Sequence, residues 1–222
     1  MRSFTVAELI VKLRERADLV GSRHITDLFI TDCLSSARAE VYDLLVTAWD
    51  DYFTILSDNI PLVNGQATYD PPEDFYKLTG VDFSSDAGTT WERMRLWNMS
   101  QRNQRSSYYT GSIPDYRLMG DQIMLVPAPT SGHIRLWYIP AAEKLTADDQ
   151  VVDGVNGWEE LVLLFAMRRV LVKDEDSTTG VDSEIARQMQ RLQDASIRDA
   201  GEPVSLEGYH AGNARWGRGF RW

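Results

Sequence analysis

Four pairs of adjacent carboxylates, Asp50/Asp51, Glu73/Asp74, Asp148/Asp149 and Glu159/Glu160, are the residues of this chain best equipped for acid–base chemistry. General acid–base catalysis needs two carboxylates in different environments facing one cleft. Adjacent residues on a helix or turn point different ways, so solvated faces and helix caps account for these pairs. Asp174-Glu175-Asp176 offers oxygen to a hard cation, but it lacks the alternating ligands and the glycine of a calcium loop. The three histidines, His24, His133 and His210, have no partner at helical spacing and no nearby cysteine, which leaves no zinc signature. No phosphate-binding glycine loop and no nucleophile elbow is present. The chain is expected to need no cofactor and no metal, and not to be an enzyme.

The C-terminal stretch carries a different chemistry. Tyr209, Trp216, Phe220 and Trp222 interleave with Arg215, Arg218 and Arg221 among three glycines, without one acidic residue. Arginine and large aromatics dominate protein interface hot spots. The same composition also suits single-strand nucleic acid, where bases stack on rings, and a disordered tail. The chain has 23 basic and 33 acidic residues, a net charge of −10. Since residues 209–222 contribute three positive charges, residues 1–208 carry −13. That acidic body repels phosphate, so these seven residues read as a docking site for a protein partner. Duplex DNA should bind weakly at most.

What must position this segment is read from hydropathy patterning. Thr5-Val-Ala-Glu8 is a capping box, and Val6, Leu9, Ile10, Leu13 and Val20 predict a first helix ending at Gly21. Ile30, Leu34, Ala37, Val41, Leu44, Leu45 and Ala48 step by three and four, predicting a helix over about 26–48. After Trp49 the period shifts toward strand. Segments 53–63 and 66–69 flank Asn64-Gly65, a two-residue hairpin signal, and 75–83 reads as a further short strand. Residues 84–90 read as an exposed polar loop, and 98–107 as a short helix with Arg102 and Arg105 in solvent. Strands over 116–119 and 122–126 join at Gly120-Asp121 and stop at Pro127 and Pro129. In His133–Pro140, Ile134, Leu136 and Tyr138 share a face. Asn156 and Glu159 form a second capping box before an apolar helix over about 157–173. A last helix, about 180–200, carries Ile185, Met189, Leu192 and Ala195 on one face.

Helices, then strands, then helices predict an α+β fold. Helices within 5–48 and 157–200 form a bundle, with a β-rich lobe inserted at about 52–140. Residues 1–203 read as one domain and 204–222 as an extended arm. The single cysteine, Cys33, excludes an internal disulfide and reads as a small buried hydrophobe. No secretory signal is visible at the N-terminus, and the longest apolar run, Leu161–Met167, is far short of the roughly 20 residues that span a bilayer. A protein made in a cytoplasm, without a membrane partner, is expected.

A series of motifs in fixed order resembles the head-to-tail adaptor proteins of tailed bacteriophages. They are Glu40-Val-Tyr-Asp-Leu-Leu, Ala67-Thr-Tyr-Asp-Pro-Pro-Glu-Asp-Phe-Tyr-Lys-Leu-Thr-Gly-Val-Asp, Tyr116-Arg-Leu-Met-Gly-Asp-Gln-Ile with Val126-Pro-Ala-Pro, Arg135-Leu-Trp-Tyr-Ile-Pro, and Asp153-Gly-Val-Asn-Gly-Trp-Glu-Glu. The resemblance spans about 28–203. It implies a virion structural protein of the neck or tail, a dodecamer docked on the portal protein and meeting a tail or nozzle protein. Genomic DNA would pass through the ring during ejection without sequence-specific binding. Two other readings use the β lobe: a tail-terminator or tail-tube protein, and a carbohydrate-binding module built on Trp91, Trp97 and Trp137. A hydrolase of cell-wall glycan would need convergent carboxylates that the sequence does not display.

Overall fold

A computed structural model describes residues 3–101, 113–153 and 158–199. It is mixed, 40% helix and 24% strand, in agreement with an α+β class. The first helix, α1 (Val6–Arg16), opens on the predicted capping box: Glu8 N–H donates to Thr5 Oγ1 and Thr5 N–H to Glu8 Oε2. Its apolar face, Val6, Leu9, Ile10 and Leu13, is buried. The helix stops at Arg16, short of Gly21, and Val20 is 72% exposed rather than part of the stripe. Two local causes end it. Asp18 takes a left-handed φ of 54°, and the Arg14 guanidinium donates to the carbonyls of Leu19, Ser22 and Ile25 while pairing with Asp27. The side chain thereby satisfies carbonyls that a continuing helix would have paired.

Helix α2 (Asp27–Ala48) starts where Thr26 Oγ1 accepts from Phe29 N–H, and it buries Ile30, Leu34, Ala37, Val41 and Leu45 as its spacing predicts. Cys33 is buried on the same helix, and burial pushes its thiol pKa up. A single turn, α3 (Asp50–Phe53), follows. Helix α4 (Glu159–Lys173) begins with Trp158 in the cap position and no side-chain cap; Asn156 lies outside the described residues. Trp158 meets Trp49 at the end of α2, with ring centroids 6.1 Å apart, and Lys173 at the other end lies 3.6 Å over the Phe29 ring. The two helices are therefore antiparallel. Arg169 ties them at mid-length, donating to the Cys33 carbonyl and to Glu40. Helix α5 (Thr179–Asp199) adds Val181 and Leu192 to one core shared by helices from both halves of the chain.

Strand β1 (Ser3–Thr5) pairs antiparallel with β10 (Val151–Asp153), a closure that the sequence did not announce. In the β lobe, β9 (His133–Pro140) is central. It pairs with β5 (Phe75–Ser84), β2 (Ile55–Leu56) and β3 (Ile60–Pro61), and β6 (Glu92–Arg93) borders β5. Ile134, Leu136 and Tyr138 of β9 are buried together, as their alternation predicts. A second sheet has the order β4 (Thr68–Tyr69), β8 (Gln122–Val126), β7 (Asp115–Met119). Met119 pairs with Gln122, leaving Gly120-Asp121 as the expected two-residue turn, with Gly120 at φ 66°.

Three expectations are corrected here. Residues 53–63 do not make a continuous strand; α3 takes the start and two short pairings with β9 the rest. Asn64-Gly65 does turn, with Gln66 N–H donating to Val63 O and Gly65 at φ 79°. Its flanks, however, enter different sheets, β3 on β9 and β4 on β8, so the turn is a corner and not a hairpin. The Tyr69 hydroxyl accepts from Val63 N–H and fixes that corner from inside. The segment 98–107 shows only a 3-10 turn at Met99–Gln101, capped by Asn98 Oδ1; Arg102 and Arg105 fall outside the described residues.

The polar loop 84–90 is ordered by one carboxylate. Asp86 accepts from Thr90 N–H, Thr90 Oγ1, Ser84 Oγ and Thr89 N–H. These bonds, led by that of the Thr90 backbone, hold its pKa down to about 2. A depressed carboxylate stabilises above its ordinary titration range and loses that contribution only as pH falls toward the folded value. The Asp86 carboxyl resonance should titrate with a midpoint of about 2; a midpoint in the usual carboxylate range would show that the loop does not hold it.

Candidate functional site

The helical core and the β lobe meet along one face of α2. Tyr42 Oη donates to the Pro140 carbonyl at the end of β9 (2.7 Å), and Arg38 Nη1 to the Glu143 carbonyl (2.8 Å). From β5, Tyr76 Oη donates to Asp43 Oδ1 (2.7 Å). These bonds fix the lobe against the helix independently of the covalent connection. Burial raises the Tyr42 phenol above its ordinary pKa, and the bond to the Asp43 carboxylate raises that of Tyr76. Both stay protonated donors at neutral pH.

Aromatic rings gather at this junction. Tyr42 and Phe53 pack edge to face at 5.2 Å, Tyr52 and Phe53 likewise, and Tyr42 lies 6.4 Å from Tyr76. Beside them opens a cavity of about 350 Å³, whose floor includes Val41, Leu45, Phe53 and Val162 and whose wall includes Ala142 and Trp158. At its mouth Tyr52 is 58% and Ile55 42% exposed. The other side of the same segment faces a second hollow of about 370 Å³, lined by Asp51, Thr54, Asp82, Arg93 and Trp137. Large, partly exposed apolar groups beside a concave floor are the mark of a binding surface rather than a reaction centre.

The candidate chemistry resolves into structural roles. Asp74 accepts from Tyr138 Oη (2.9 Å); burial first, and then this bond, push the Tyr138 phenol up to about 12. Glu160 pairs with Arg16, and Asp174 with His24. Glu159 is buried beside it, whereas Glu160 keeps partial exposure, so this pair is split by the helix surface as expected. Among the described residues no three His, Cys, Asp or Glu side chains are grouped so as to hold a metal ion. No helix among them is long and apolar enough to cross a membrane. Of the three tryptophans considered for sugar binding, Trp97 is buried. Trp91 and Trp137 both face the Arg135 guanidinium, 4.3 and 5.7 Å from their centroids, so they form no open platform.

Tyr209, Arg215, Trp216, Arg218, Phe220, Arg221 and Trp222 lie outside the described residues. The junction itself was missed by sequence reading. Its one local signal is Trp49-Asp-Asp-Tyr-Phe53, where helical period breaks on aromatic residues. The partners it meets, Tyr76 and Pro140, are far away in the chain.

No match to the chain is found among curated proteins. The family model of the SU10 adaptor protein matches residues 4–214, almost the whole length and including both the junction and most of the C-terminal segment. The chain belongs to the SU10 adaptor protein family, a family of phage head-to-tail adaptors.

Proposed function

We propose that this chain forms a ring, twelvefold by the family resemblance, between the portal and the tail machinery of a phage particle, around the channel through which DNA passes. The family match over residues 4–214 carries the reading: it makes the chain a phage structural protein that meets portal and tail components in the virion neck. In this reading residues 1–203 act as one adaptor domain, and 204–222 as an arm that orders on a neighbour. The net charge of −13 on residues 1–208 supports a wall along which DNA slides, since DNA affinity comes from neutralising phosphates. The mechanism is mechanical and electrostatic, with no bond made or broken.

A tail-terminator role fits less well, because half of the buried core is helical and gathered from both ends of the chain. A sugar-binding role loses its platform to Trp97 burial and to Arg135.

Assembly should be conditional on the portal. The apolar face of α4 is already covered by α1, α2 and α5, so the free chain has no large core surface left to bury. Sedimentation of the purified chain at low micromolar concentration should show monomer, and addition of the portal protein should shift it into a portal-bound ring. A stable dodecamer without portal, or no association with portal, would overturn this reading.

A further inference from the structure

We infer that the groove between the helical core and the β lobe is the receptor for residues 209–222 of the adjacent copy of this chain. The inference rests on the ring reading above and names the surface on which subunits grip one another. Along residues 51–55 the side chains alternate between two hollows. Tyr52, Phe53 and Ile55 line the apolar one, and Asp51 and Thr54 line the one that also holds Asp82. A ligand fitting both must offer large apolar groups and cations within a few residues of each other. Arg215-Trp-Gly-Arg-Gly-Phe-Arg-Trp222 does so and contains no acid. Its three positive charges complement a body of −13. Its glycines let an extended chain lie close to the Tyr52 and Ile55 ridge.

The path of α5 selects a neighbouring copy over the chain's own groove. The Arg191 guanidinium lies 5.2 Å from the Trp158 ring, and Trp158 lines the apolar hollow. The helix then continues to Asp199, eight residues further, or roughly 12 Å beyond that wall. It thus carries the chain past its own groove and outward. The nine residues 200–208 can span up to about 30 Å when extended, enough to reach the same groove on an adjacent subunit.

The test uses full-length protein whose arm is blanked by Trp216→Ala, Phe220→Ala and Trp222→Ala, titrated with a fluorescent peptide of residues 209–222. Saturable binding is expected, weakening as salt is raised. Ala142→Trp, which fills the apolar hollow from its half-buried wall, and Ile55→Asp should each weaken it at least tenfold. Leu118→Asp on the distant β7 should change it less than twofold. No saturable binding, or equal binding to all three variants, overturns the inference. The neighbour is distinguished by disulfide trapping, which the sole native cysteine, buried Cys33, leaves clean. Full-length Ile55→Cys mixed with full-length Gly219→Cys should give the mixed dimer on oxidation. If the double variant instead closes within one chain at low micromolar concentration and no mixed dimer forms, the arm folds back on itself and the inference fails. Both measurements need no portal, so their failure is separate from failure of the ring reading, which the portal experiment decides.

Discussion

Deleting residues 209–222 is expected to leave the fold unchanged and to abolish assembly. Both hydrophobic cores of the described structure are built from residues 4–192, and neither draws on the segment removed. Thermal unfolding of the truncated protein should therefore stay within a few degrees of the full chain. Assembly is another matter. Truncating a large interface aromatic costs on the order of 2 kcal/mol, and the segment holds Trp216, Phe220 and Trp222. Together they amount to about 6 kcal/mol, roughly a ten-thousandfold loss of affinity at each subunit contact. The arginines add bidentate pairing to carboxylates that lysine would not reproduce. Complementation of a particle lacking the native protein with the truncated one should give no infectious progeny. Normal infectivity would make the segment dispensable and the docking account wrong.

The largest effect on stability is expected from a glycine. Gly132 precedes β9 at φ 117°, a region that L side chains rarely occupy. A Cβ there would sit 2.7 Å from both the Phe83 ring and the Ser84 carbonyl. The site cannot relax easily, because Gly132 O accepts from Leu62 N–H and Ser84 is in register with His133. Backbone strain of about 1–3 kcal/mol and overpacking of about 1–3 kcal/mol add, so Gly132→Ala should destabilise by roughly 4 kcal/mol. For a chain of this size that lowers the melting temperature by roughly 8–16 °C. Gly21→Ala, where an added Cβ meets nothing within 4 Å, is the control and should move it little. Equal melting of the two variants would contradict the geometry around β9.

The parts of the fold legible in the sequence are those decided within a few residues. Thr5 and Glu8 satisfy each other across one helical turn. The alternation of Ile134, Leu136 and Tyr138 needs only the period of a strand, and Gly120-Asp121 only the φ preferences of two residues. What escaped depends on partners far along the chain. Val20 continues the helical spacing, yet Arg14 collects carbonyls from a loop and ends the helix early. Asn64-Gly65 turns as its residues dictate, but where the two flanks go is decided by β9 and β8. Ser3–Thr5 is too short to read as a strand until Val151–Asp153 is beside it. The groove is the extreme case. Tyr42 finds Pro140 across 98 positions, and no local pattern announces such a meeting. The arm was the reverse: its composition was plain in the sequence, while its seat could only be sought in three dimensions.

The most direct test is to image the neck of the particle that carries this chain, without imposed symmetry, and locate its density. The account predicts twelve copies in one ring between portal and tail, with the acidic body around the DNA and residues 209–222 of each copy seated between α2 and β5 of the next. Density for this chain elsewhere in the particle, or a channel in which DNA is clasped by a basic lining from this chain, would contradict it.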